Sequence, residues 1–158
     1  TLDTLPALIN SNVSKAILYG VDYKFEYNFY GNFVLYGSGS FVRGKDTGSG
    51  ENLPLIPPLR GHLGIRYSYN RVGSAELTAT GASKQTKIAA GEKETDGYIR
   101  LDMVICSEKI RIGKTGLQIF TGIDNITDKS YTNHLSTNRG SISVEPGRNI
   151  FVRLNFSF

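Results

Sequence analysis

Lys15-Ala16-Ile17-Leu18-Tyr19-Gly20-Val21-Asp22-Tyr23-Lys24-Phe25-Glu26-Tyr27 is the stretch that decides the fold. Ile17, Tyr19, Val21, Tyr23, Phe25 and Tyr27 fall on one parity, and Asp22, Lys24 and Glu26 with Gly20 on the other. A period of two over a dozen residues is the signature of a β-strand with one apolar and one polar face. The same alternation returns from Leu59 to Tyr69, where Leu63, Ile65, Tyr67 and Tyr69 oppose Arg60, His62, Arg66 and Ser68. It returns again from Gly97 to Ser107 and from Ile150 to Phe158. Weaker copies cover Phe33 to Arg43, Ser74 to Lys84 and Thr115 to Ile126. Helical 3,4 spacing has no comparable match, so the chain reads as all-β, an antiparallel meander of about seven long strands.

Two features narrow the class. These strands run about 10 to 12 residues, whereas strands of globular proteins favour 5 or 6. A tilted strand crossing a bilayer needs about 9 to 11. Connections also alternate in length: Asn28–Asn32, Asn70–Gly73 and Glu108–Lys114 are short, while 44–58, 85–96 and 127–147 are long and polar. In a meander, alternate connections share one end, and short turns opposite long loops is the pattern of outer-membrane barrels. Tyr19, Tyr23, Tyr27, Tyr67 and Tyr69 lie toward strand ends on the apolar face, as interfacial girdles do. A soluble sandwich or lipocalin-like barrel also alternates, but explains the strand lengths and one-ended loops less well.

The composition agrees once both faces are considered. The 158 residues are 39% hydrophobic and 20% charged, with 18 Gly, 9 Tyr, 8 Phe, one Cys and a formal charge of +4. Mean hydropathy is -0.21, close to neutral because the two faces of each strand cancel. One cysteine excludes a disulfide framework. Lys and Arg are interspersed with Asp and Glu from Lys15 to Arg153, so no nucleic-acid-binding patch is expected. Seven strands do not close a single-chain bacterial barrel, whose strand number is even. With no leader pattern at Thr1, the expectation is a segment of a larger barrel, or closure by self-association through edges and apolar faces.

Enzyme signatures fail individually. Gly113-Lys114-Thr115 lacks the first P-loop glycine, because position 108 is Glu, and no helix pattern follows. His62 and His134 have no second ligand at metal spacing, so neither a metal nor a cofactor is expected. Cys106 has no adjacent His and reads as a plain thiol. The sequons at Asn12 and Asn125 would matter only in a eukaryotic secreted protein. No acid–base pair or activated nucleophile assembles, and the chain is not expected to be an enzyme.

The last forty residues are more specific. Gly122-Ile123-Asp124-Asn125-Ile126-Thr127-Asp128-Lys129-Ser130-Tyr131 is followed by His134-Leu135-Ser136, then Pro146-Gly147-Arg148-Asn149, an alternating strand and terminal Phe158. This resembles the C-terminal end of TonB-dependent outer-membrane receptors. Leu53-Pro54-Leu55-Ile56-Pro57-Pro58 is similar to a loop of that family, and Gly20-Val21-Asp22 to one of its strands. The resemblance implies that residues 1–158 are the C-terminal segment, roughly the last third, of a 22-stranded transmembrane β-barrel whose plug domain lies outside the chain. It implies location in the bacterial outer membrane, contact with its lipid, and coupling to the TonB complex through the plug. It further implies uptake of a scarce nutrient, an iron-siderophore or other metal complex first. A passive porin and a soluble binding or adhesion module are the alternatives. By resemblance Phe158 is the barrel-assembly signal, and His134 and Arg139, in the 127–147 loop, are the ligand-binding candidates. Asn125 and Asp128 are expected as turn formers.

Overall fold

The computed structural model describes residues 15–140 and 142–158; the Asn12 sequon lies outside them. They form one antiparallel sheet: β1 (Ala16–Phe29), β2 (Phe33–Asp46), β3 (Arg60–Tyr69), β4 (Gly73–Ala82), β5 (Tyr98–Ser107), β6 (Ile110–Ile112), β7 (Thr115–Asp124) and β8 (Asn149–Ser157). A single helical turn, α1 (His134–Asn138), interrupts the last loop. Each strand pairs with the next along the meander, except that β5 and β6 both pair with the same edge of β7.

Seven strands were expected where eight occur, and the difference has a local cause. Glu108 and Lys109 break one long strand into β5 and β6, after which Ile110-Arg111-Ile112 resume the ladder opposite Thr115–Leu117. The 108–114 connection is therefore a strand with an interruption, and the true turn is Gly113-Lys114, with Gly113 at φ 64°. Side chains satisfy backbone groups that the interruption frees. Ile119 N–H donates to Ser107 Oγ at 2.9 Å, and Gln118 Nε2 donates to the Ser107 carbonyl at 3.2 Å. Such repair matters most where water is absent, because an unpaired backbone group in lipid costs several kcal/mol.

The distribution of burial is inverted relative to a water-soluble domain. Among the described residues no hydrophobic side chain is buried. The buried positions are six glycines (37, 39, 44, 64, 116 and 122) and four polar residues, Gln85, Thr95, Asn125 and His134. Ile17, Leu63, Leu77, Ile99, Val152 and Leu154 all lie exposed on one face of the sheet. An apolar surface of this extent has no stable solution in water and marks a face that meets lipid or protein. Among the described residues no helix is long and apolar enough to cross a membrane. The strands are: ten residues span about 33 Å, enough to cross the apolar band at the usual tilt.

The opposite face is polar. Arg66 on β3 pairs with Glu76 on β4 at 2.8 Å, its guanidinium lies 5.2 Å from the Tyr36 ring centre, and the Tyr36 hydroxyl meets Thr78 Oγ1 at 2.9 Å. Aromatic rings on the apolar face gather at the short-turn end. Phe29 stacks on Phe33 at 5.4 Å, Phe33 meets Tyr67 at 4.6 Å, and Tyr67 continues to Tyr69 at 6.4 Å. This belt contains three of the five expected girdle tyrosines, since Tyr27 joins through Phe29 at 6.2 Å. Tyr23 instead lies mid-strand across Gly39, and Phe25 across Gly37, where a Cβ would come within 2.8 Å of the ring. These pairs explain glycines inside a strand: each vacates the space that its cross-strand aromatic fills.

A charge on the apolar face therefore carries a penalty that a charge on the polar face does not. Leu77→Arg, mid-strand on β4, is expected to destabilise the barrel by about 2 to 4 kcal/mol, and Thr78→Arg, its neighbour on the wet face, by much less. Denaturant unfolding in phospholipid vesicles measures both.

Candidate functional site

The three long connections, 47–59, 83–97 and 125–148, leave the same end of the sheet and bind one another. Their composition is polar, so hydrogen bonds hold them. Gln85 Nε2 donates to the Ile56 carbonyl at 2.9 Å, and Asn52 Nδ2 donates to the Ile88 carbonyl at 3.2 Å. Glu92 accepts from Leu55 N–H at 2.6 Å and Ala89 N–H at 2.8 Å. A bridge between Gln85 and Thr95 closes the base of the middle loop.

The last loop is anchored by the residues of its opening motif. Asn125, 1% exposed, has left-handed φ of 53°. Its Oδ1 accepts from Lys129 N–H at 2.9 Å, while its Nδ2 donates to the carbonyls of Lys129 (2.9 Å) and Pro146 (3.4 Å). One side chain thus ties the start of the loop to its end. Asp128, with φ 51°, accepts from Arg148 N–H at 2.8 Å, and a Cβ on Gly147 would come within 2.7 Å of its carboxylate. Both residues act as turn formers, in the left-handed region that Asn and Asp tolerate better than most residues. Arg148 itself is exposed just before β8.

Below this anchor the polar face of β5 supplies the support. Asp102 Oδ2 accepts two hydrogen bonds from Arg100, at 3.0 and 2.8 Å, and its Oδ1 accepts Asn125 N–H at 2.8 Å. Arg100 also donates to the Tyr131 hydroxyl at 3.0 Å, and the Tyr131 ring packs on Tyr98 at 4.3 Å. Between the second and third loops lies a recess of about 460 Å³, with Lys93, Glu94, Asp96, Lys129, Tyr131 and Thr132 on its walls.

The two ligand candidates occupy different environments. Arg139 is exposed at the C-terminal end of α1. His134 is 3% exposed at its N-terminal end. Its Nδ1 faces the Thr95 hydroxyl and Asn138 Nδ2, each at 3.1 Å, and its Nε2 has no hydrogen-bond partner among the described residues. Asn138 is itself fixed across the loops: its Oδ1 accepts Lys93 N–H at 2.6 Å and its Nδ2 donates to the Lys93 carbonyl at 3.1 Å. Burial pushes the His134 pKa below the ordinary histidine value, and the Glu92 carboxylate opposes the shift only in part. His62 lies on the polar face of β3 against Ser38 Oγ at 3.1 Å. No group of three or more His, Cys, Asp or Glu able to hold a metal occurs among the described residues. Phe158, at the chain's end, is fully exposed.

Sequence reasoning did not find Gln85, Thr95 or Asn138, which sit in polar loops with no periodicity. The i, i+4 spacing of His134 and Asn138 was an available signal, because it places them on one face of a helical turn. Replacing Asn125 with Ala is expected to leave its backbone partners unsatisfied, cost about 2 to 3 kcal/mol and expose 127–147 to protease. The denaturation midpoint and the rate of loop cleavage report this together.

No curated protein sequence matches the chain. The copper transporter OprC is similar in structure, with a TM-score of 0.78 and 27% identity over 90% of this chain. The chain spans 23% of that transporter's length. A family model described as "TonB dependent receptor-like, beta-barrel" matches residues 1–126. Membership sets the chain in the outer membrane of Gram-negative bacteria. The long strands, the inverted burial and this match agree, and the chain belongs to the TonB-dependent receptor β-barrel family.

Proposed function

We propose that residues 1–158 are the C-terminal segment of a receptor that imports a scarce nutrient across the outer membrane, driven by the TonB complex through a plug domain outside this chain. The observation that carries this reading is the family match over residues 1–126, borne by a sheet whose buried side chains are polar and whose apolar ones are exposed. In the closed barrel the free edges of β1 and β8 pair with neighbouring strands, and the apolar face meets lipid. Alone, the segment would self-associate, because two open edges and an apolar face seek partners.

A metal complex is the substrate class we favour, either an iron-siderophore or a copper species. The similarity to a copper transporter supports the second, and the polar, hydroxyl-lined recess between the loops supports a ligand that presents hydrogen-bonding oxygens. In this reading Arg139 meets the ligand from the loop surface, and His134 contributes from beneath. Phe158 serves as the recognition signal for barrel assembly, which its exposure at the end of β8 supports.

Uptake of radiolabelled copper and of labelled ferric siderophores, in cells with and without the gene, tests the reading. One of these should fall on deletion of the gene and fall equally on deletion of TonB. Uptake that survives loss of TonB would instead mean a passive pore, the porin alternative. Deleting Phe158 is expected to reduce the amount of folded barrel in outer-membrane fractions, seen as loss of the heat-modifiable band.

A further inference from the structure

Arg43 and Lys45 break the rule that governs the apolar face of this sheet. In all eight strands the positions of that parity carry no charged residue except these two, both cations, at the loop end of β2. Their parity follows from the ladder, because β1 and β2 pair without interruption from Phe29–Phe33 to Ala16–Asp46. The Arg43 guanidinium lies 6.0 Å from the ring centre of Phe41, on the same face. Neither cation makes an ion pair among the described residues. Asp46 and Glu51, the acidic residues of the same hairpin, pair through their backbones on the opposite parity.

Their depth explains why charge is tolerated there. The rings of Phe29, Phe33 and Tyr67 mark the short-turn edge of the apolar band. Arg43 stands ten residues along β2 from Phe33, about 33 Å on the strand and about 25 Å in height at a tilt of about 40°. That height matches the apolar band of such barrels, about 25 Å. Arg43 therefore emerges at the far rim, level with Tyr19, its partner on β1, and Lys45 lies one pleat further out. A cation is costly at mid-depth, whereas at the rim it meets the headgroups. Its stem lies on the apolar surface while the charged end reaches into the polar layer.

Two cations side by side on one face favour an anion between them. Phe41 and Tyr19, 37% and 59% exposed, leave an apolar flank beside and below the pair. An occupant that matches both is anionic at its head and apolar beneath. β1 stands between the pair and the open edge of the sheet, so the strand that closes the barrel is a direct neighbour of neither. The long loops mark the outward side of the membrane. We propose that Arg43 and Lys45, flanked by Tyr19 and Phe41, bind the phosphorylated headgroup of a glycolipid in the outer leaflet. The Arg43 fork donates to phosphate oxygens and Lys45 adds a point charge, while the two rings contact the roots of the acyl chains. The site rests on the reading of the apolar face as lipid-facing, and is independent of which nutrient is carried.

The full-length receptor in neutral detergent, with lipid A as the phosphorylated probe, tests this. Native mass spectrometry is expected to show lipid A bound more tightly than phosphatidylcholine. The double variant Arg43→Gln with Lys45→Gln should bind lipid A about 25-fold more weakly, about fivefold for each charge, with phosphatidylcholine unaffected. Acetylation of the Lys45 amine, read by peptide mass spectrometry, should slow severalfold when lipid A is present. Phosphatidylcholine and inorganic phosphate should leave it unchanged, and Lys24 on the polar face should label at one rate throughout. Should the double variant not fold, Lys45 protection in the unsubstituted receptor decides. Labelling as fast with lipid A as without it, or equal protection by phosphatidylcholine or by free phosphate, would overturn the proposal. So would protection that precedes any added lipid and comes from a co-purifying acidic polypeptide. Flotation of the receptor with phosphatidylcholine vesicles, which the lipid-facing reading requires and the headgroup site does not, keeps the two failures apart.

Discussion

The constraint on which the rest depends is that a peptide group in hydrocarbon has no water to bond. Every N–H and C=O of a crossing segment must be paired within the protein, and a sheet does this through its ladders. β1 and β2 meet this with fourteen paired positions, and β3 with β4 with ten. Side-chain hydrophobicity is then released from its usual task of driving collapse. It coats the outer face instead, which is why no hydrophobic side chain is buried among the described residues. Where the ladder breaks, at Glu108 and Lys109, Ser107 and Gln118 supply the hydrogen bonds that the backbone lacks.

Freed of a core, the sheet uses close packing sparingly and in specific places. Tyr23 over Gly39, Phe25 over Gly37 and Tyr36 over Gly64 are cross-strand pairs in which a missing side chain admits a ring. Polar burial is concentrated instead at the loop end. Asn125 and His134 are as inaccessible as core residues, yet their side chains face carbonyls, amides and a hydroxyl at hydrogen-bond distance. The loops thus have a small interior of their own, held by directional bonds that demand particular residues, whereas the strands below need only an alternating pattern.

That difference decides how much was legible in the amino-acid order. Period-two alternation announces the strands because every second residue from Ile17 to Tyr27 faces the same solvent, and the side chains of β8 obey the same rule. The alternation of short and long connections located the loop end. The Asn125–Tyr131 motif was legible through family resemblance, and its left-handed residues by their chemistry. The partition of β5 from β6 was not, because the break at Glu108 and Lys109 leaves the polar pattern of a turn. Nor was the His134–Thr95–Asn138 cluster, since it depends on how two loops fold back on each other, and neither loop has a period. Sequence could name His134 as a residue of interest in the last loop without saying that it points inward while Arg139 points out.

The anchoring of that last loop has an evolutionary corollary. Asn125 grips the carbonyls of Lys129 and Pro146, and Asp128 grips the Arg148 amide, so the side chains that close the neck hold backbone groups rather than particular side chains. Backbone is common to all residue types, which means that the sixteen or so positions between the grips are free to drift without unpicking the barrel. A neck of this kind turns the loop into an exchangeable cartridge. Descendants could acquire new cargo by rewriting its interior, or by receiving a whole loop through recombination, while the wall that carries it stays the same.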